Sequence, residues 1–171
     1  MGRILGGILL VLLCLISCEE KSNAQEIEAQ NLVLTKLDVH DTLAYKFYLK
    51  QPYSDYSEIY YLIYLVKDSP YHFDKSGKLY DGSSASVILK HVFSKEQKSI
   101  ASTESFIEKL SGYIDDGGES CEVVYPDGSS APAKEVLYYE LARLREHEKN
   151  RRTLALAGED GQIAIALHVV Q

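Results

Sequence analysis

Hydrophobic and polar positions along the first third of the chain follow a strand-like pattern. The segments LVLTKL (Leu32–Leu37) and TLAYKFYLK (Thr42–Lys50) are strand-like, and the second alternates cleanly between apolar and polar positions. Alternation with a period of two indicates a half-buried strand, because successive side chains point to opposite faces. The polar DVHD between them predicts a hairpin loop.

The apolar run Ile59–Val66 is rich in β-branched and aromatic residues and is followed by Asp68-Ser69-Pro70. This composition predicts a central strand buried on both faces. A helix is the alternative, because four tyrosines fall near helical spacing: Tyr53, Tyr56, Tyr60 and Tyr64. The next segment, His72–Ser86, is expected to be a loop, and Ser86–Phe93 is expected to be a strand or a short helix.

Two later segments have the apolar period of helices. The first covers about residues 103–115, capped by Ser102 or Thr103 and followed by Gly117-Gly118. Its apolar stripe consists of Phe106, Ile107, Leu110 and Ile114. The second covers about residues 132–149 and starts at Pro132, which suits a first helical turn. Its apolar stripe consists of Val136, Leu137, Leu141 and Leu144.

The remaining elements complete an α+β pattern. CEVVY (Cys121–Tyr125) predicts a short strand, the following PDGS predicts a turn, and TLALA-GEDG-QIAIALHVV predicts a C-terminal hairpin. We therefore expect an α+β fold: a mostly antiparallel sheet of five to six strands, with the two main helices (about 103–115 and 132–149) packed on one face.

The N-terminal segment is typical of a secretory signal peptide. Arg3 precedes an apolar stretch of thirteen residues, Ile4–Ile16, whereas a transmembrane helix needs about 20. A charged start, a short apolar core and a small residue before a processing site are the marks of a signal peptide. The stretch ends in LISC, Leu15–Cys18.

LISC resembles the lipobox of bacterial lipoproteins, with Leu at −3, a small residue at −1 and Cys at the cleavage point. The resemblance implies that residues 1–17 are removed and that Cys18 carries the lipid anchor, because two or three acyl chains give stable membrane attachment. Glu19 after the cysteine implies the outer membrane rather than the inner one. The rival cleavage site, Ser22-Asn23-Ala24, would instead release a soluble protein.

The expected mature protein has a short tether and one domain. Residues 18–30 form the lipidated cysteine and a polar tether, and residues 31–171 form a single globular domain. The net charge of −7 argues against nucleic acid as a partner, because phosphate contacts need a basic face. Cys121 is the remaining cysteine after Cys18, so no disulfide within the domain is expected.

No catalytic motif is present: the chain has no HExxH, CxxC, GxSxG or glycine-rich phosphate loop. This absence disfavours an enzyme, and no cofactor is expected. The weak metal candidates are His40 and Asp41, with His72 and Asp74 as further ligands, since imidazole and carboxylate groups bind divalent ions. The alternative is that DVHD and HFD are ordinary polar loops.

Two other groups of residues offer candidate chemistry, each with a structural alternative. Cys121 with His147 or His168 would supply a thiol nucleophile and a base, whereas a buried structural cysteine is the simpler reading. The acidic segment Asp115–Glu119 would attract Ca²⁺, although it lacks the alternating ligands of an EF-hand loop.

Tyrosine is abundant: the chain has thirteen Tyr and no Trp, and nine Tyr lie between positions 45 and 80. Tyrosine suits recognition surfaces because it offers a large contact area with few rotatable bonds. The structural alternative is that most of these tyrosines pack in the core or across strands. Tyr48, Tyr53 and Tyr56 border the loop after the second predicted strand, and we expect them to be exposed there and to mark a binding face. The sequence thus predicts a lipid-anchored envelope protein that binds a protein partner, as an accessory subunit or an inhibitor. The alternatives are a metal-dependent envelope hydrolase and a small-ligand or glycan binder.

Overall fold

The computed structural model describes residues 32–114 and 121–168. The regular elements all lie in the compact unit that begins at Leu34. In chain order the regular elements are a 3₁₀ turn (Val39–Asp41), α1 (Leu43–Tyr48), α2 (Asp55–Asp68), β1 (His72–Lys75), β2 (Lys78–Asp81), α3 (Gly82–Glu96), a second 3₁₀ turn (Gln97–Ser99), α4 (Thr103–Ile114), β3 (Glu122–Val124), β4 (Ser130–Pro132) and α5 (Ala133–His168).

The four described strands form one antiparallel sheet in the order β2-β1-β3-β4. Phe73 lies opposite both Tyr80 and Val123, and Val123 lies opposite Ala131. These side chains share the inner face, which α3 and α5 cover, whereas Leu79 on the outer face is exposed. The predicted α+β class and antiparallel sheet are confirmed. The predicted five to six strands are wrong, since the described residues form four.

The β1–β2 hairpin replaces the loop predicted over His72–Ser86. Ser76 and Gly77 both have positive φ, 53° and 77°, which is the backbone of a type I′ turn that matches strand twist. The Asp74 carboxylate accepts a hydrogen bond from the Gly77 N–H at 2.8 Å and closes the turn. The loop prediction was wrong because the turn takes up only two residues, so the four residues on each side of it pair as strands β1 and β2.

Helix α1 replaces the strand predicted at Thr42–Lys50. The Thr42 hydroxyl accepts a hydrogen bond from the Tyr45 N–H at 3.1 Å, which caps the helix. Tyr45 and Tyr48 are buried on the same side of this helix, so burial follows a period of three to four. The strand prediction for Leu32–Leu37 is also wrong, because this segment is described without a strand.

Helix α2 replaces the central strand predicted at Ile59–Val66, and the helical alternative is confirmed. Ser54 and Ser57 form a capping box, in which each hydroxyl accepts from the other residue's N–H. The buried side chains cover a wide arc: Ile59, Tyr61, Leu62, Ile63, Leu65 and Val66. Neighbouring helices α1, α3, α4 and α5 all contact α2. That broad burial produces the continuous apolar run that resembled a buried strand.

Three other helices settle the remaining predictions. The helical alternative for Ser86–Phe93 is confirmed, since this segment is part of α3. The helix predicted at about 103–115 is confirmed as α4. The helix predicted at about 132–149 is also confirmed, although it continues as α5 to His168. The C-terminal hairpin is therefore wrong up to that residue, and Val169 and Val170 lie outside the described part. Extending an existing helix needs no new nucleation step, which favours continuation.

The helices form a layer on the inner face of the sheet. Helices α3 and α5 contact the strands, and α4 packs against α2, α3 and α5. In residues 32–114 and 121–168, no helix has both the length and the apolar character that a membrane span requires.

Candidate binding surfaces

Four aromatic side chains of α1 and α2 form a continuous surface, here called the aromatic patch: Phe47, Tyr56, Tyr60 and Tyr64. The ring centroids of Phe47 and Tyr64 lie 5.0 Å apart, and those of Tyr60 and Tyr64 lie 6.5 Å apart. Tyr56 and Tyr60 each lie 5.5 Å from Phe93, which is buried beneath them. Phe47, Tyr56 and Tyr60 keep 42–47% of their surface exposed.

The spacing of the tyrosines on α2 produces this patch. Tyr56, Tyr60 and Tyr64 are four residues apart, so they occupy one face of the helix, one turn above another. Helix α1 packs beside α2 and places Phe47 against the last of them. Phe93 from α3 supplies the floor. Three helices therefore hold the rings in a fixed arrangement.

Cationic side chains surround the aromatic patch. The Lys50 ammonium lies 5.5 Å from the centroid of Phe47, and the Lys90 ammonium lies 5.1 Å from that of Tyr64. Ammonium groups over aromatic faces are attracted by the ring quadrupole. The patch is thus locally basic in a chain whose net charge is −7.

A groove of about 370 Å³ runs along the aromatic patch. It is lined by Phe47, Tyr48, Gln51, Ser57, Tyr60, Tyr61 and Tyr64. Tyr48 and Tyr61 form its buried floor, with ring centroids 6.2 Å apart. Burial raises the pKa of both phenols above their ordinary value, so both stay neutral and can donate hydrogen bonds at physiological pH.

Tyr53 lies on a neighbouring groove of about 250 Å³. Its ring is 62% exposed, and the Arg152 guanidinium carbon lies 4.7 Å from the ring centroid. Of the three tyrosines expected at a binding face, Tyr53 and Tyr56 are exposed. Tyr48 is only 5% exposed, so the expectation of an exposed Tyr48 was wrong. Its ring packs between Tyr45 and Tyr61, because in helix α1, unlike in the predicted strand, Tyr48 lies one turn from Tyr45 on the buried side.

A buried carboxylate fixes α1 against α5 beside these grooves. Glu148 Oε1 accepts a hydrogen bond from the Tyr45 hydroxyl at 2.5 Å. Arg151 donates to both oxygens of Glu148, at 3.0 and 2.9 Å. The hydrogen bond from Arg151 lowers the pKa of Glu148, because it stabilises the ionised form. Burial and the Glu148 carboxylate raise the pKa of the Tyr45 phenol to about 12.

A second buried carboxylate joins α2, α4 and α5. Glu58 is 2% exposed and receives two hydrogen bonds from Arg145, at 3.0 and 2.7 Å. The Thr103 hydroxyl donates to Glu58 Oε2 at 2.8 Å. Arg145 also pairs with Glu104 at 2.5 Å. These carboxylates raise the pKa of the guanidinium, so it is charged under all conditions that preserve the fold.

The structure divides the metal candidates into two places. Asp38, His40 and Asp41 are exposed, and one ligand atom of each lies within 4.8 Å of the others. His72 and Asp74 lie on β1 and do not belong to this group of described residues. Asp74 closes the β1–β2 turn instead. The Nε2 of His40 lies 3.3 Å from Asp41, an exposed contact of the kind common in polar turns.

Cys121 and His147, one of its two proposed bases, lie in different packing environments. The Cys121 thiol is half-buried beside β3, and burial raises its pKa to about 11. A thiol with a raised pKa is mostly protonated and a poor nucleophile at neutral pH. His147 packs against Tyr45, with ring centroids 4.9 Å apart, and stacks on His40 at 6.0 Å. The side chain of His168 lies outside the described residues.

Other predicted sites also lie outside the described residues. The acidic segment Asp115–Glu119 falls between the two described ranges, and Cys18 precedes the first of them. The calcium and lipidation hypotheses therefore remain predictions from the sequence.

Sequence reasoning missed Phe47, Tyr60 and Tyr64 as members of one surface. The four-residue spacing of Tyr60 and Tyr64 is typical of one face of a helix. For this segment, however, the strand was the favoured prediction and the helix only the alternative. Nothing local could have indicated that Phe47 stacks on Tyr64, because the contact depends on how α1 packs beside α2.

Residues 54–145 match a family of unknown function (DUF5329). The chain belongs to this family. The matched residues run from the cap of α2 to Arg145 in α5, and so contain three of the four rings of the aromatic patch. No curated protein and no solved structure matches this chain.

Proposed function

We propose that this protein is a lipid-anchored cell-envelope protein that acts by binding a protein partner through the aromatic patch. The observation that carries the proposal is the contiguous set of exposed rings held by three helices. Large aromatic side chains in fixed positions are the groups that dominate binding energy at protein interfaces. The role is that of an accessory subunit or an inhibitor of another envelope protein.

The chemistry of the patch specifies the partner's surface. Rings at the centre favour an apolar contact on the partner, and Lys50 and Lys90 at the edge favour acidic groups around it. A basic partner, which the acidic composition of the whole chain would suggest, is not favoured at this face. Complementary charge at the edge of an interface mainly raises the association rate.

Support for the envelope location comes from the sequence LISC and the short apolar stretch before it. Lipidation at Cys18 followed by a polar tether would keep the aromatic patch near the membrane, where envelope proteins are accessible. Glu19, the residue after Cys18, favours the outer membrane over the inner membrane. Cys18→Ala should leave the protein as unprocessed precursor. Metabolic labelling with an alkynyl palmitate should also be lost.

The binding proposal is tested with a photoreactive amino acid at Tyr60 in the lipidated protein in bacterial cells. The matched control carries it at Leu79, an exposed apolar position on the outer face of the sheet. We expect one protein to crosslink at Tyr60 and not at Leu79. With that partner purified, Tyr60→Ala should weaken binding about tenfold or more, as for an interface hot spot, and Leu79→Ala less than twofold.

The same experiment can contradict the proposal. Equal crosslinking at Tyr60 and Leu79 would assign the contact to chance encounters. Crosslinks from Tyr60 to phospholipid alone would make the aromatic patch a membrane contact. A partner that binds equally well to Tyr60→Ala would use another surface.

A small ligand or glycan in the groove is a second candidate, favoured by one observation. The groove of about 370 Å³ is lined by five aromatic rings, and its buried phenols remain neutral donors. Recognition of a sugar would place its apolar face on Tyr60 or Tyr64. Tyr61→Phe, which removes one buried hydroxyl at the floor, should weaken a glycan several-fold and leave a protein partner's affinity unchanged.

A further inference from the structure

An apolar pocket of about 170 Å³ lies between the inner face of the sheet and helices α3 and α5. Its walls include Phe73 and Val123 from the strands, which are 5% and 1% exposed. Leu89 from α3 and Leu137 from α5 also line the pocket and are buried. Because four elements hold these side chains apart, the movement of one side chain cannot close the space.

Two alanines make room for the pocket. Ala85 lies four residues before Leu89 on α3, and Ala133 lies four residues before Leu137 on α5. Residues four apart share one face of a helix, so the buried stripe of each helix narrows from Leu to Ala in its first turn. Wall atoms around an empty apolar space lack packing contacts, and a guest of matching size restores those contacts.

The size and walls of the pocket suit a single ring. Engineered apolar cavities of about 150 Å³ stay dry and bind benzene. A pocket of about 170 Å³ therefore holds one six-membered ring with a small substituent. Phe73 and Tyr80 are cross-strand partners on β1 and β2, and both line the pocket. Aromatic walls favour an aromatic guest, because rings attract each other in edge-to-face contacts.

The polar groups of the lining favour an uncharged guest. Lys134 pairs with Glu108 at 2.6 Å, and Lys75 also has an interaction partner, so neither lysine is an unpaired cation for an anionic ligand. Glu135 adds an exposed carboxylate in the first turn of α5. Burial raises the pKa of the Cys121 thiol to about 11, so this part of the lining is neutral at physiological pH. A charged guest would lose its hydration in an apolar interior without gaining a counter-charge.

We propose that this pocket binds a small uncharged aromatic molecule, one six-membered ring of about the size of toluene. The enclosed volume limits the guest to one ring, and the neutral lining selects against ionised ones. The residues that line the pocket differ from those that line the groove of the aromatic patch. The pocket can therefore bind its guest whether or not the aromatic patch binds a protein.

The test uses the full lipidated chain in phospholipid nanodiscs, with the methyl groups of Leu and Val isotopically labelled for NMR. Toluene is added by dialysis, so that its free concentration is known despite uptake by the lipid. We expect the methyl signals of Val123, Leu89 and Leu137 to shift, with a half-maximal change at about 1 mM or below. The exposed Leu79 and Val87 should not shift. Shifts of equal size at these two residues would mean that toluene acts on the surface, and the proposal would be wrong.

Variants that fill the pocket test where the guest lies. Ala85→Leu adds a side chain from α3 and should weaken toluene binding at least about tenfold. Ala133→Leu fills the pocket from α5 and should have the same effect. Val87→Leu, at a position that is 64% exposed, is the matched control and should bind normally. Circular dichroism melts identify the variants that remain folded. A folded filled variant that binds toluene as tightly as wild type would overturn the proposal.

A series of ligands tests the chemistry of the guest. Benzoate has the same ring with a charged substituent and should bind at least about tenfold more weakly than toluene. Equal binding of benzoate would contradict the selection for an uncharged guest. Heptane, which has the same number of carbons without a ring, should bind several-fold more weakly than toluene. If heptane binds as tightly as toluene, the assignment to an aromatic guest is wrong.

Discussion

At the scale of single residues, Gly82 is required by a close backbone approach. It begins α3 directly after β2, and its backbone conformation is one that other residues adopt. The constraint is steric: an added Cβ would collide with the Val66 carbonyl oxygen and lie 2.9 Å from that of Ser69. The glycine therefore allows the start of α3 to pack on the end of α2.

Gly82→Ala should lower the free energy of unfolding by about 1–3 kcal/mol, because backbone atoms of α2 must move to make room for the methyl group. Urea unfolding followed by circular dichroism measures the change. Ser83→Ala is the matched control, since Ser83 is exposed one position later, and it should change stability by less than about 0.5 kcal/mol. A Gly82→Ala variant as stable as this control would show that the contact is relaxed in solution.

At the scale of elements, α5 joins the domain through acids within its buried stripe. Val136, Glu140, Leu144 and Glu148 follow one another at intervals of four, and all are buried. Glu140 accepts hydrogen bonds from the Leu34 N–H at 2.7 Å and from Arg143 at 2.9 Å. Burial nevertheless raises its pKa, because desolvation disfavours the charged form. The acids thus tie the helix to segments distant in sequence.

The Glu58–Arg145 pair tests this linkage between α2 and α5. Arg145→Met should lower the free energy of unfolding by about 2–4 kcal/mol, because Glu58 would remain buried without its cation. The figure is below that for a fully buried pair, since Arg145 is 41% exposed. Glu58→Gln in the Arg145→Met background should recover part of the loss.

The control for that cycle is Arg152→Met, on the same helix, whose nearest carboxylate contact is 4.0 Å long. It should cost less than about 1 kcal/mol. Additive effects of Glu58→Gln and Arg145→Met would contradict a direct energetic coupling between the two residues.

At the scale of the whole molecule, ionised carboxylates link stability to pH. Hydrogen bonds from Arg151 and Tyr45 lower the pKa of Glu148 below its unfolded value. The stabilisation is therefore complete above the unfolded pKa of about 4.3 and is lost as the pH falls through the folded pKa. Glu140 has the opposite effect on the pH dependence of stability. Its pKa is raised in the folded protein, so its ionisation destabilises the fold and acidification removes that cost.

Glu148→Gln should accordingly destabilise the protein by about 1–3 kcal/mol at pH 7, the range for hydrogen bonds to a charged group. The difference from wild type should shrink as the pH falls below the unfolded pKa of about 4.3 and towards the lowered pKa of the folded carboxylate. Urea unfolding at several pH values measures it. Glu146→Gln, at an exposed position of the same helix, is the control. A difference that stays constant down to pH 3 would show that the ionised form of Glu148 is not what stabilises the fold.

Local sequence signals determined several elements of this protein. The starts of α4 and α5, the short strand β3 and the PDGS turn were predictable, because caps, turn residues and an amphipathic stripe act within a few positions. The α+β class followed from those elements. The exposure of Tyr53 and Tyr56 was also predicted correctly, since both flank a segment rich in polar residues.

The tertiary structure alone decided the rest. Ile59–Val66 fits a buried strand or a buried helix equally well in isolation, and only the helices packed around it select the helix. Tyr48 is buried because Tyr45 and Tyr61 enclose it. Long-range contacts join residues far apart in sequence, as in the stacking of Phe47 on Tyr64 and the pairing of Glu58 with Arg145. Such contacts depend on how whole elements pack, which no short segment encodes.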